Sequence, residues 1–593
     1  MSETNAGLAA VLGQMAEASE LLGVSRFKVN ALARASGLFA ELGRDVAGMS
    51  REELLALPGV GEGLADRALE FVETGELAEH GELLAQLPGG LLALLDVPNL
   101  GPKKVRLLWQ EAGVESVAGL KEAIADGRLT ALKGFGPKTV ANLERDLAFA
   151  AASAGRVRMD RAYGAAQSML AVLRGVDGVE RAEFAGSLRR GKETIGDVDL
   201  LVACGDESKA AGVFEAFVGH PLVEDVLAKG ATKSSVRVAG GLQVDLRVVE
   251  PGVFGAAWMY FTGSKQHNVR MRERAIARGL RLNEYGVVEG RASKKEREDP
   301  GYEGGDGVVL ASATEEEVFE ALGLAWVPPE LREDLGELAK AEAGTIPGLL
   351  ELSDVKAELH AHTTASDGVW SIRELAEGAA ARGFHTVAVT DHSQGQPQAN
   401  GLSAARLKAQ VKEVRKAAEE LAGTIRLLAG SEVDILADGS LDYDDAVLAL
   451  LDVVVASPHA ALSQEPKKAT ERLIKAIENP LVTIVGHPTG RLVGKRKGLE
   501  PDMAAVCEAA AANGVALEIN ANAYRLDLRD AHARLALEKG CKLAIDTDAH
   551  GPGDLDQLRF GVATARRAGA TEADVINCLD AEGLAGFLKS RRG

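Results

Sequence analysis

From Val355 onward, short apolar runs alternate with Ala-rich stretches that have helical spacing. The runs are Thr386–Thr390, Arg426–Ala429, Val453–Ala456, Val482–Val485, Ala516–Ile519 and Lys542–Ile545. Short apolar runs bounded by turns read as buried strands, and strands separated by helices pair in parallel. The pattern predicts a distorted βα barrel. The N-terminal segment has another texture, with apolar positions at helical spacing broken by Gly and Pro, which predicts an all-α region of short helices. Between the two lies mixed α/β sequence: a helix from Val157 to Arg174, a strand-like stretch at Val179–Phe184, and alternating runs around Asp197–Val202 and Val236–Val249. Trp326–Asp354 reads as a Glu-rich helical connector interrupted by Pro328, Pro329 and Pro347.

The length, 593 residues, implies three to five compact units at ~100–200 residues each. The apolar run Leu448–Val455 contains Asp452 and falls far short of the ~20 residues a membrane span needs. The N-terminus has no basic stretch ahead of an apolar one, so a secretory signal is not expected. The four cysteines, Cys204, Cys507, Cys541 and Cys578, include no CxxC pair, which fits buried thiols in a reducing cytoplasm. A net charge of −20 argues against a nucleic-acid partner until it is resolved locally. Phe261–Arg297 holds ten Lys/Arg against four Glu, and Gly101–Trp109 holds Lys103, Lys104 and Arg106 with no acid.

Three related units lie in the helical region: Leu57-Pro58-Gly59-Val60-Gly61, Val97-Pro98-Asn99-Leu100-Gly101-Pro102-Lys103, and Leu132-Lys133-Gly134-Phe135-Gly136-Pro137-Lys138. Each precedes a helical stretch and resembles a helix-hairpin-helix motif. A glycine turn that opens a helix directs free N–H groups and the positive dipole end at a phosphate, without reading sequence. Gly59, Gly61, Gly101, Lys103, Lys104, Gly134, Gly136 and Lys138 are the expected DNA contacts.

The central chemical signal is Gly186-Ser187-Leu188-Arg189-Arg190-Gly191 followed by Gly196-Asp197-Val198-Asp199. Residues two apart on a strand face one side, so Asp197 and Asp199 present both carboxylates to one point. Asp245 sits in a second alternating run and can complete a triad. Three carboxylates suit two hard divalent cations, Mg²⁺ or Mn²⁺, that serve in-line nucleotidyl transfer. Ser187 and Arg190 are expected to meet a triphosphate.

The stretch Gly186–Val202, the Asp245 run, Tyr260-Phe261-Thr262-Gly263-Ser264 with His267-Asn268, and Leu282-Asn283-Glu284-Tyr285 resemble family X DNA polymerases, DNA polymerase beta among them. The resemblance covers about residues 1–325. It implies that Asp197, Asp199 and Asp245 are metal ligands, and that Gly186, Ser187, Arg190 and Gly263 belong to the nucleotide site. Tyr260 and Phe261 would line the sugar, Asn268 would contact the nascent base pair, and Arg272 the template side. Where polymerase beta has its Schiff-base lysine after the first hairpin, this chain has Arg67, with Gly63 at a nearby lysine position. A guanidinium stays protonated and cannot be that nucleophile, so lyase activity is not expected unless Lys28 supplies the amine.

Six of the 11 histidines lie in one C-terminal series: Glu358-Leu359-His360-Ala361-His362, Asp367, Asp391-His392, Glu432, His459, His487 and Asp546-Thr547-Asp548-Ala549-His550. Several follow the apolar runs, where βα barrels place catalytic groups. Imidazole with carboxylate suits Mn, Zn or Fe, and such a site activates water for attack on phosphorus. The order of motifs resembles the PHP (polymerase and histidinol phosphatase) domain over about residues 353–593. It implies up to three Mn²⁺ and/or Zn²⁺ ions held by His360, His362, Asp367, His392, Glu432, His459, His487, Asp548 and His550. It also implies 3′–5′ exonuclease and 3′-phosphatase activity, although Glu358 replaces the usual first Asp. An inactive, structural PHP domain is the alternative.

The expected organisation is a helix-hairpin-helix domain over 1–85 and a second over 86–155, a nucleotidyltransferase palm over 156–250 and a nascent-base-pair subdomain over 251–325. A linker over 326–352 and the PHP domain over 353–593 complete it. The expected protein is a cytoplasmic, nucleoid-associated monomer. It fills short gaps in DNA repair, acting on gapped or primer-template DNA with deoxynucleoside triphosphates and with no membrane partner.

Overall fold

The computed structural model describes residues 3–41, 46–57, 60–97, 100–137, 139–144, 147, 155–230, 232–290 and 308–590. The chain forms two compact units, 1–154 with 494–497, and 155–493 with 498–593. No helix among the described residues is long and apolar enough to cross a membrane.

In the first unit, helices Glu3–Leu22 and Arg26–Glu41 pair around the turn at Gly23, whose φ of 77° suits glycine. Gly61 caps helix Glu62–Thr74, and Gly101 caps Pro102–Ala112 with Pro102 in the first turn, where its missing N–H is harmless. A third helical stretch begins at Pro137. One apolar core runs from Leu8 and Met15 through Phe71 and Leu108 to Phe135 and Leu147, so both expected hairpin domains share it. Gly61, Gly101, Lys103, Lys104 and Gly136 are exposed, as hairpin tips must be to reach a backbone. Gly59 and Lys138 lie outside the described residues.

The second unit begins with a minor ribbon of β1 (Val157–Arg158) and β3 (Thr194–Ile195). The palm sheet contains β2 (Val179–Phe184), β4 (Asp197–Cys204), β5 (Val223–Lys229), β6 (Lys233–Val238) and β7 (Leu242–Val249) in the order β2-β4-β7-β6-β5. The single alternating run expected over 236–249 resolves into a hairpin turning at Gly240 and Gly241. Val198, Leu200, Val202, Val244 and Leu246 bury one face of the sheet against helices Met159–Leu173 and Glu207–Val218. Leu201 and Ala203 meet helix Phe254–Thr262 on the other face. Strand alternation places Asp197, Asp199 and Asp245 on that second face.

Helices Phe254–Thr262, Lys265–Ala277 and Glu315–Ala321 and the sheet of β8 (Leu280–Asn283), β9 (Gly286–Glu289) and β10 (Val309–Ala311) form the next layer. The connector is built into this layer: Val327 and Ala341 enter its core, and Arg332, fully buried, pairs with Glu315 at 2.7 Å.

The C-terminal region is a seven-stranded parallel sheet, β11 (Ala357–Glu358), β12 (Thr386–Val389), β13 (Arg426–Asp434), β14 (Val453–Ser457), β15 (Ile484–Val485), β16 (Ala516–Asn520) and β17 (Leu543–Asp546), in sequential order. A parallel bridge between Ala361 and Ala549 brings its ends together, giving the barrel. Leu428, Val453, Val455, Ile484, Ala516 and Ala544 fill the interior with Leu584 and Leu588 of helix Ala581–Ser590. The outer face buries Val387, Leu427, Val454 and Leu517 under the helices. His360 and His362 lie just past β11, whose ladder ends at Glu358.

Candidate active sites

In the palm, the parallel register of β4 on β7 sets Asp199 opposite Asp245, with Asp197 two residues before it on the same face. Burial, then the neighbouring Asp197 and Asp245 carboxylates, push the Asp199 carboxyl up to about 7. Burial works in the same direction on Asp245, but hydrogen bonds from Lys233 and Gln243 outweigh it and hold that carboxyl below its usual value. The Lys233 ammonium is 2.5 Å and the Gln243 amide 2.8 Å from Asp245. Gly186 packs on Asp199: its φ is 62°, and a Cβ there would fall 2.1 Å from Asp199 Oδ2. Three convergent carboxylates are the donor chemistry of a divalent-cation site.

Around this triad, Tyr260 and Phe261 make an edge-to-face pair with centroids 5.6 Å apart, and the Arg247 guanidinium sits 4.4 Å over Phe261. Arg272 reaches the Tyr260 hydroxyl at 3.5 Å. Asn268 donates to the Tyr260 carbonyl at 2.6 Å while its buried Oδ1 has no hydrogen bond among the described residues. Gly263 leaves room for that side chain, since a Cβ would come within 2.4 Å of Asn268 Oδ1. Ser187 is half-buried in the turn that follows Gly186. Arg190 is held within the protein: its Nε pairs with Glu333 at 3.0 Å and its Nη1 donates to the Thr262 carbonyl at 2.8 Å. Arg189 is likewise held, by Glu315 at 2.7 Å.

In the barrel, the nine expected ligands converge. Three overlapping groups have donor atoms within 4.8 Å of one another: His362, Asp367, His392 and His550; His360, His362, Glu432 and Asp548; and His392, Glu432 and His459. His487 joins through its Nε2, 2.8 Å from Glu432 Oε1. Residues shared between groups, His362, His392 and Glu432, are what a multinuclear centre requires. Buried ring nitrogens of His360, His362, His392, His459 and His487, with Glu432 Oε2 and Asp548 Oδ1, have no hydrogen-bond partner among the described residues. Orphaned buried donors and acceptors are rare unless something else binds them, so the donor set fits transition-metal ions. Burial, followed by the charges of His550 and His392, lowers the His362 imidazole to about 4, which keeps it in the neutral form that ligates.

The supporting polar groups escaped the sequence reading. Glu518 on β16 accepts from His360 Nδ1 at 2.6 Å, leaving Nε2 to the cluster, and Asp434 on β13 does the same for His459 at 3.1 Å. Asn520 donates to Asp548 Oδ2 at 3.1 Å. Glu358 is not in a ligand group. It accepts from Thr547 Oγ1 at 2.7 Å and the His360 N–H at 3.1 Å, tying the first strand to the last. In the helical unit, Arg67 and Lys28 share Glu79, at 2.6 and 2.8 Å.

Comparison with known proteins gives matches along the chain. A Helix-hairpin-helix domain model matches residues 3–77, a SAM-like Helix-hairpin-helix tandem 91–147, a DNA polymerase beta thumb 257–333 and a PHP domain 358–522. The chain is 37% identical over 574 residues to a DNA polymerase/3'-5' exonuclease PolX of Bacillus subtilis (strain 168), covering 96% of each chain. It is 29% identical over 246 residues to a probable phosphatase of Thermoanaerobacter sp. (strain X514), using 40% of this chain and 95% of that one. It is 27% identical over 301 residues to DNA polymerase lambda of Rattus norvegicus, with 48% and 49% covered.

Proposed function

Because the chain belongs to the family X DNA polymerases that carry a PHP domain, we propose that it fills short gaps during DNA repair by template-directed nucleotide addition, and that its barrel hydrolyses 3′ ends. The observation that carries the polymerase reading is the register that sets Asp199 against Asp245 beside Asp197. These carboxylates would hold Mg²⁺ or Mn²⁺, which when bound activates the attacking 3′ hydroxyl and neutralises the leaving pyrophosphate. Gly186, by lacking a side chain, keeps Asp199 in place, and with Ser187 borders the triphosphate. The Tyr260–Phe261 wall packs the sugar, and the unpaired Asn268 Oδ1 faces the nascent pair. Exposed N–H groups at Gly61, Gly101 and Gly136 hold the DNA backbone, together with Lys103 and Lys104.

In the barrel, the nine-residue donor set would hold Mn²⁺ and/or Zn²⁺, up to three ions, which when bound supply an activated water for attack on phosphorus. Glu518 and Asp434 fix the His360 and His459 rings for that task. The orphaned imidazoles support an active domain over a structural one, since a purely structural core leaves few such groups unpaired.

A paired experiment tests both halves on a gapped duplex and a single-stranded oligonucleotide with Mn²⁺. Asp199→Ala should abolish extension and keep 3′–5′ hydrolysis, and His360→Ala/His362→Ala should do the reverse. Wild-type extension by the first variant would overturn the palm assignment. Undiminished hydrolysis by the second would overturn the barrel assignment.

A further inference from the structure

The loop after β16 brings a guanidinium to the barrel cluster that no ligand requires. Arg525 Nε lies 3.4 Å from Asp548 Oδ2, and the side chain is 19% exposed. Among the described residues Asp548 is the one ion-pair partner of this guanidinium, and none of its N–H groups makes a hydrogen bond. Arg525 therefore overlooks the cluster from its Asp548 edge. Five donors in a planar fork, mostly unused and only partly open to water, match a tetrahedral oxyanion better than one carboxylate oxygen.

The loop is held firmly enough to aim the group. The Asn522 side chain accepts from Tyr524 N–H at 3.0 Å, and the Asn522 carbonyl accepts from Arg525 N–H at 2.8 Å. Val493 N–H donates to the Tyr524 carbonyl at 2.7 Å. Ala523 and Leu526 are buried in the palm's own apolar cluster with Met159 and Ile195, and Arg158 of β1 stacks 3.5 Å over the Tyr524 ring. Residues on both sides of Arg525 are thus anchored, which leaves its side chain little freedom except toward the cluster.

We propose that Arg525 is a catalytic residue of the barrel site that binds the phosphate of the 3′-terminal phosphodiester or phosphomonoester. This rests on the hydrolytic function proposed above. The guanidinium transfers no proton. It donates to the non-bridging phosphate oxygens and stabilises the charge that builds on them as water attacks phosphorus.

The full-length, Mn²⁺-loaded protein tests this with Arg525→Ala and Arg525→Lys. Hydrolysis of a single-stranded oligonucleotide, equilibrium binding of thymidine 5′-monophosphate, bound metal by elemental analysis, and gapped-primer extension are measured together. Arg525→Ala should lower hydrolytic kcat/KM by about 100-fold or more, as loss of one oxyanion donor does. It should weaken thymidine monophosphate binding by roughly 10-fold or more, as expected for a charge-assisted contact. Lys should recover part of both, since it keeps the charge but not the fork. Metal content and primer extension should match wild type, which also shows that the variants fold. Loss of bound metal with unchanged monophosphate affinity per loaded site would overturn the proposal and make Arg525 a neutraliser of Asp548. Wild-type hydrolysis by Arg525→Ala would overturn it as well. A wild-type protein that extends primers but hydrolyses nothing would refute the barrel function itself, while the monophosphate titration would still decide whether Arg525 binds phosphate.

Discussion

Gly186→Ala is the smallest perturbation that separates the palm chemistry from the rest of the molecule. The added methyl carbon would stand 2.1 Å from Asp199 Oδ2, where contacts below 3.0 Å are essentially never seen. The carboxylate oxygen must therefore retreat by about 1 Å. Mg²⁺ accepts ligands within a narrow range near ~2.1 Å, so a displacement of that size moves or loses the ion. A misplacement of about 1 Å at a reacting centre lowers rate by about 100-fold, or ~2.7 kcal/mol of barrier. The substitution also puts a side chain at φ 62°, with a strain of about 1–2 kcal/mol. Gly240→Ala is the control. It sits at φ 81° with nothing within 4 Å, so it carries the strain without touching Asp199. Single-nucleotide insertion into a gapped duplex should show kcat/KM down about 100-fold for Gly186→Ala and within about twofold of wild type for Gly240→Ala. Hydrolysis of single-stranded DNA should be unchanged in both. Insertion by Gly186→Ala within threefold of wild type, or an equal loss in Gly240→Ala, would refute the role given to Asp199.

Glu518→Gln keeps the shape but removes the carboxylate that orients His360, so barrel metal affinity should fall by about 10–100-fold in a competitive chelator titration, with primer extension retained. The raised Asp199 carboxyl binds a proton below about pH 7 that a cation must displace, so palm affinity for Mn²⁺ should climb with pH up to about 7 and level off above it. A flat profile in isothermal titrations of the His360→Ala/His362→Ala variant would contradict that. The same group makes the metal-free fold bind more protons than the unfolded chain between about pH 4 and 7, so its contribution to stability should be present at the acid end and lost as pH rises through about 7. Borohydride trapping on a 5′ deoxyribose-phosphate end should yield little adduct, because Arg67 cannot form an imine and Lys28 is tied to Glu79. Whatever forms should vanish in Lys28→Ala.

The two ligand sets were legible for different reasons. Asp197 and Asp199 could be paired from the period of a strand alone, but joining Asp245 to them took the β4–β7 register, which sequence does not encode locally. The barrel histidines stood out because imidazole is scarce in this chain and recurs at the ends of apolar runs. Glu518 and Asp434 carried a signal that was passed over. Each is a carboxylate in a buried stretch of strand, where an unpaired charge is too costly to persist. The partners of Arg190 were beyond reach, since Glu333 is 143 residues away and selected only by the packed connector. Arg525 lay in a loop with no periodicity to mark it.

The seam between palm and barrel explains why the connector is packed and not free. Arg567 of the barrel helix Leu558–Ala568 is nearly buried and donates to the Arg190 carbonyl at 2.7 Å, to Glu333 at 3.0 Å and to Asp530 at 2.8 Å. Glu333 also accepts from Arg190, so one connector carboxylate binds the palm loop next to Gly186 and the barrel helix together. Nearby, Arg491 bonds Glu193 at 2.6 Å, and Gly191, at φ 66°, lets Ala563 approach where a Cβ would sit 3.2 Å away. Removing one member of such a buried set strands its partners and is far more damaging than breaking a surface pair. The loop that carries Arg525 is buried against the same palm core. Each active site thus borrows its rigidity from the other domain: substitutions within a ligand set act on one chemistry, whereas substitutions along Glu333, Arg567 and Arg491 act on the frame that both chemistries share.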